Sequence, residues 1–93
     1  MKLKKIMIDF LQDYLNQNKI EFSGWSVNVN NQEGFGDYSS NIALKLSKIL
    51  KKAPIEIAKN IANHPNSSAN VFTLSASQPG FVNFHVSNKY YFG

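Results

Sequence analysis

The ten residues Gln78-Pro79-Gly80-Phe81-Val82-Asn83-Phe84-His85-Val86-Ser87 constrain the fold more than any other stretch of this chain. Side chains alternate along a strand, so Val82, Phe84 and Val86 fall on one face while Phe81, Asn83 and His85 fall on the other. Just upstream, Val71 to Ala76 repeats the pattern, with Phe72, Leu74 and Ala76 on one face. Pro79-Gly80 fits the two central positions of a type II turn, which predicts an antiparallel hairpin. Such a hairpin is not stable alone, and its apolar face must be covered.

The covering elements are legible by their spacing. Leu3, Ile6, Met7, Phe10, Leu11, Tyr14 and Leu15 recur at three and four residues, the mark of a helix with one buried stripe, over about residues 2–17. Asn16 to Lys19 closes it. Trp25, Val27 and Val29 alternate with Ser26, Asn28 and Asn30, which predicts a further strand buried on the face of its apolar residues. Asn30 to Gly36, rich in asparagine and glycine, reads as a loop. Asp37 or Ser39 then offers an oxygen to the orphan amides of a second helix, whose stripe is Ile42, Ala43, Leu46, Ile49 and Leu50. Ala53-Pro54 ends that helix, and proline suits the first position of a third, with Ile57, Ala58, Ile61 and Ala62 inward and His64-Pro65 at its end. The expected fold class is α+β: a small antiparallel sheet of three to four strands with about three helices packed on one face, the other face open for recognition.

Ninety-three residues, 43% of them hydrophobic, suffice for one small domain with one core. Cysteine is absent, so neither a disulfide nor a thiolate metal site contributes. No apolar run reaches the roughly 20 residues of a membrane span. The expectation is a soluble, cytoplasmic, monomeric chain without a membrane partner. The formal charge of +4 favours polyanions only weakly, and all ten basic residues are lysines, so phosphate contacts would come from flexible point charges.

Catalytic chemistry finds no support. His64 and His85 are far apart and have no carboxylate cluster at ligand spacing, which argues against a metal site. No serine sits in a Gly-x-Ser-x-Gly turn, and no pair of acids is set for proton transfer. Gly34-Phe35-Gly36 is followed by Asp37, whose charge opposes phosphate at that helix start. Binding is the better reading. Phe81 beside Asn83 on the wetter face of a strand suits stacking on, and reading of, an unpaired nucleobase. Lys45, Lys48 and Lys52, with Lys51 beside them, form the densest positive surface and could track a phosphate backbone, although solvated helix faces of this kind are routine.

Gly36-Asp37-Tyr38-Ser39-Ser40-Asn41-Ile42-Ala43-Leu44-Lys45-Leu46, then Pro54-Ile55-Glu56-Ile57-Ala58, then Pro79-Gly80-Phe81-Val82-Asn83-Phe84, behind an amphipathic helix, resembles the additional N-terminal domain of arginyl-tRNA synthetase. The resemblance covers nearly the whole chain. It implies a non-catalytic domain that docks on the outer corner of arginine tRNA and recognises an exposed D-loop nucleotide. It further implies that Phe81 stacks on that base and that Asn83 contacts it. Gln78, just before the Pro-Gly turn, matches a position that contributes in some members, while many bacterial members carry glycine there.

The catalytic signatures of that family, His-x-Gly-His and a Lys-Met-Ser-Lys-like loop, do not occur in this sequence. The expectation is therefore that residues 1–88 form the N-terminal domain and that 89–93, with Tyr90, Tyr91 and Phe92, begin a linker toward a catalytic domain outside this chain. ATP and arginine would bind that absent domain, and this chain needs no cofactor. Its expected partners are arginine tRNA and the remaining domains of the synthetase. A rival reading is a structural module whose outer sheet face docks on the rest of that enzyme.

Overall fold

A computed structural model describes residues 2–29 and 37–87. The expected loop from Asn30 to Gly36 and the expected linker start at 89–93 lie outside the described residues. The first helix, α1 (Lys2–Gln17), buries Leu3, Met7, Phe10, Leu11, Tyr14 and Leu15 of the stripe that its spacing predicts, with Ile6 half-buried at its margin. Lys19 stops it by adopting a left-handed φ of 57°, which turns the Ile20 N–H back onto the Leu15 carbonyl at 2.9 Å.

Four short strands follow the chain as β1 (Val27–Val29), β2 (Tyr38–Ser40), β3 (Phe72–Ser77) and β4 (Phe81–Val86), interrupted after β2 by α2 (Ile42–Leu50) and α3 (Pro54–Ala62). They form one antiparallel sheet in the order β1-β2-β4-β3. Register lines up Val27, Ser40, Val82 and Ala76 across one face, with Tyr38, Phe84 and Leu74 in the next row. That face carries the core with α1, α2 and α3. The rings of Phe10, Phe72 and Phe84 meet edge-on, with centroids 5.3 to 6.5 Å apart, so α1 is fastened directly to the hairpin. Among the described residues, no helix is long and apolar enough to cross a membrane.

Several expectations need correction. Tyr38–Ser40 is a strand, and neither Asp37 nor Ser39 caps α2. The Asp37 carboxylate instead accepts the Val86 N–H at 2.7 Å, while its own N–H donates to the Phe84 carbonyl at 2.8 Å. Asn41 occupies the cap position, but its side-chain oxygen accepts the Ser26 N–H, and the Ser40 hydroxyl oxygen accepts the N–H of Ile42 while donating to the Ser26 carbonyl. The start of α2 is thus tied to the approach to β1 through a compact polar knot. With one aromatic and two serines, Tyr38-Ser39-Ser40 has no apolar alternation to announce a strand.

The connection between β3 and β4 also departs from a type II turn. The Gln78–Pro79 peptide is cis, which places proline third in its turn where type II would place it second. The loop is three residues long, and Ser77 pairs with Phe81. A two-residue loop would have set apolar Leu74 against polar His85, because a slip of one residue exchanges the faces of a strand.

Two apolar residues assigned inward lie outward. Val29 is 64% exposed on the edge strand, and Ile49 is 51% exposed where the last turn of α2 reaches past the core.

Candidate functional site

Among the described residues, the face of the sheet opposite the helices carries small polar side chains with two rings among them. Register places Asn28, Ser39, Asn83 and Ser75 in one row across all four strands, with Ser77 opposite Phe81 on one side of that row and Thr73 opposite His85 on the other. Phe81 is half-buried here, a large apolar ring set among hydroxyl and amide groups.

Asn83 shares this face with Phe81, as alternation requires, yet it is only 3% exposed. It sits on a central strand, flanked along β4 by the larger rings of Phe81 and His85 and across the sheet by Ser39 and Ser75. A buried amide needs a partner, and Nδ2 donates to the Ser77 Oγ at 3.0 Å. Asn83 thereby fixes the hydroxyl that lies directly across from Phe81. Beside it, the Ser75 Oγ and the His85 Nε2 form a second bond at 2.8 Å.

The geometry of the turn depends on a close approach to the helix layer. A Cβ on Gly80 would lie 2.3 Å from the Pro54 Cβ and 2.9 Å from its carbonyl carbon, so only glycine lets the turn rest against the first residue of α3. Two residues far apart in sequence, Pro54 and Gly80, are thus one contact. At the far end of β4, Asp37 holds the Val86 N–H and the Val71 carbonyl accepts the N–H of Ser87 at 2.8 Å. The strand that bears Phe81 is pinned at both ends.

The remaining expected site residues divide. Gln78 is exposed in the turn, at the same end of the sheet as Phe81. Lys45 and Lys48 are exposed on α2, in the helix layer across the sheet from Phe81, and Lys52 lies beyond the end of that helix, which closes at Lys51 with φ 55°. The lysines therefore do not continue the face that carries the ring. Ser75 and Ser77 were not foreseen. Their signal was present, since they alternate with Leu74 and Ala76 and a hairpin register that keeps the two faces separate brings them beside His85 and Asn83.

His64 is a structural residue. Its Nε2 lies 2.9 Å from the Asp13 carboxylate, and its ring meets Phe10 and Tyr14 edge-on, which ties the end of α3 to α1.

Comparison with known proteins agrees with this architecture. The family model described as the arginyl tRNA synthetase N terminal domain matches residues 1–86. An arginine–tRNA ligase of Staphylococcus carnosus is 50% identical over 56 residues, 59% of this chain and 10% of that protein. One from Thermotoga maritima is 39% identical over 72 residues, 77% of this chain and 13% of the ligase. The solved structure of Thermus thermophilus arginyl-tRNA synthetase superposes with a TM-score of 0.79 over 92% of this chain and 14% of that one, a likeness of fold at 19% identity. The chain spans about a tenth of the length of the curated relatives it matches. With a family model covering all but its last few residues, this chain belongs to the arginyl-tRNA synthetase N-terminal domain family.

Proposed function

We propose that the chain is the non-catalytic tRNA-binding domain of an arginine–tRNA ligase, and that its outer sheet face takes an unpaired D-loop nucleotide of arginine tRNA. The observation that carries this reading is Phe81: a half-buried ring on a polar sheet face, opposite Ser77 and beside Asn83. Every base offers a π-face, so a ring held in place among hydrogen-bonding groups can stack on it while its neighbours contact the base edge. Ser77 lies across from the ring and Gln78 is exposed in the adjoining turn, and Asn83 orients the Ser77 hydroxyl. Lys45, Lys48 and Lys52 add attraction for phosphates at longer range. Arginylation, with its ATP and arginine, belongs to the catalytic domain of the parent enzyme, in the cytoplasm.

Equilibrium binding of an arginine tRNA transcript by this chain tests the reading. Stacking of one base contributes about 1 to 3 kcal/mol, so Phe81→Ala should weaken binding roughly fivefold to a hundredfold at low salt. Asn83→Ala should weaken it less, because its effect passes through Ser77. Unchanged affinity in Phe81→Ala would refute the site and favour a face that docks on the rest of the synthetase.

A further inference from the structure

We infer that the Ser75–His85 pair forms a second nucleotide subsite on the same sheet face, one that takes the unpaired nucleotide neighbouring the base on Phe81. The inference rests on the proposed function and extends it along β4. Among the described residues of this face, Phe81 and His85 are the two rings, one on each side of Asn83, and both are half-buried. Four residues of strand separate them by about 13 Å, a span that an unpaired loop with splayed bases can bridge. Imidazole belongs with the phenyl and indole rings as a platform for a splayed base, and four-stranded sheets with two such rings can hold two or three bases in succession.

The ring is also held in place, which separates it from an ordinary surface histidine. Ser75 Oγ lies 2.8 Å from Nε2, and Ser75 itself sits directly opposite Asn83 in the register. With Nε2 engaged by the serine, recognition falls to the ring face and Nδ1. Around it lie Thr73, directly across, and Ser75, which add hydroxyls for a ribose or phosphate oxygen. Asp37 comes opposite His85 one step beyond the last β2–β4 pair, and its carboxylate accepts the Val86 N–H at 2.7 Å, so a bound nucleotide would turn its base or sugar to that side and its phosphate away from it. Ser75 acts here as a positioning residue for His85.

The test compares Phe81→Ala, His85→Ala, Ser75→Ala and the Ser75→Ala/His85→Ala pair in binding an arginine tRNA transcript and a second transcript whose D-loop is replaced by a closed tetraloop. His85→Ala is expected to weaken binding about three- to tenfold on the first transcript and to have no effect on the second. Ser75→Ala should weaken it by a smaller factor and add nothing to His85→Ala, while His85→Phe, which keeps a ring face, should restore part of the loss. Loss of binding in Phe81→Ala with none in His85→Ala overturns the second subsite and leaves the proposed function standing. Full binding by Phe81→Ala overturns both. A His85→Ala loss of equal size on both transcripts overturns the assignment to the D-loop, and circular dichroism on each variant identifies any loss that comes from unfolding.

Discussion

Replacing Gly80 by alanine tests whether the approach of the hairpin turn to α3 sets the shape of the domain. The new Cβ would stand 2.3 Å from the Pro54 Cβ, 2.9 Å from its carbonyl carbon and 3.1 Å from its Cα. Carbon atoms rest at about 3.5 to 4.0 Å, so the turn and the helix start must separate by more than about 1 Å. Two of the three clashing atoms are backbone, and the third belongs to a rigid ring, so no side-chain rotation relieves them. Overpacking of this kind costs about 1 to 3 kcal/mol, which outweighs the 0.4 to 1 kcal/mol that alanine ordinarily gains over glycine by restricting the unfolded chain. In a domain of this size each kcal/mol lowers Tm by about 4 to 8 °C, so thermal unfolding followed by circular dichroism should show a fall of roughly 5 to 20 °C. Gly24→Ala is the control. Its Cβ would meet only the tip of the Phe22 ring, at 3.0 Å, which can swing aside, and its Tm should move by no more than about 3 °C. A Gly80→Ala chain that melts with the wild type would show that the contact with Pro54 does not constrain the turn.

Asp37→Ala removes the acceptor of the Val86 N–H and should destabilise the chain by about 1 to 3 kcal/mol in urea unfolding, with Asp37→Asn recovering much of the loss because its amide oxygen can still accept. Burial raises the pKa of Tyr14 above its ordinary 10.0, so the native state holds that proton more tightly than the unfolded chain. Stability from this source is complete below pH 10 and declines as pH rises through the native value, and Tyr14→Phe should therefore flatten the alkaline arm of a stability-against-pH curve. Lys45→Gln with Lys48→Gln should weaken tRNA binding at low salt and lower the slope of log affinity against log salt by up to about 2, leaving stability unchanged within about 0.5 kcal/mol. A salt slope equal to that of the wild type would remove those lysines from the interface.

Periodicity was most legible where one element spans several turns. The seven apolar residues of α1 gave its bounds, and Pro54 gave the start of α3, because both signals are local. β2 was hidden for the opposite reason. Tyr38-Ser39-Ser40 has one aromatic and two hydroxyls, and its strand character comes from β1 and β4 on either side, contacts made at long range. Asp37 misled in the same way. Its position before a helix is that of a cap, yet the chain bends so that its carboxylate reaches the last amide of a strand 49 residues later. The hairpin register, by contrast, was recoverable, since only a loop of odd length keeps Leu74 beside Phe84 and the serines beside Asn83 and Phe81.

The burial of Asn83 changes how its place in the motif is to be understood. Alternation puts it beside Phe81, and an exposed amide there would read a base by direct contact. Its 3% exposure and its bond to Ser77 make it a support as well. An unsatisfied buried amide costs about 1 to 3 kcal/mol, so the Asn83–Ser77 bond holds the end of β3 in register against the first residue of β4. That residue is Phe81, and the preceding one, Gly80, is locked onto Pro54. Pro54, Gly80, Phe81 and Asn83 therefore form one mechanical unit: the contact at Gly80 sets the turn, the bond at Asn83 sets the register, and together they fix the Phe81 ring at that end of the polar face. A ring fixed in advance loses little freedom on stacking. Under the proposed function, a ring fixed in this way is what a face without arginine would need in order to hold a nucleotide, and the rigid residues of the motif and its ring stand in one chain of cause.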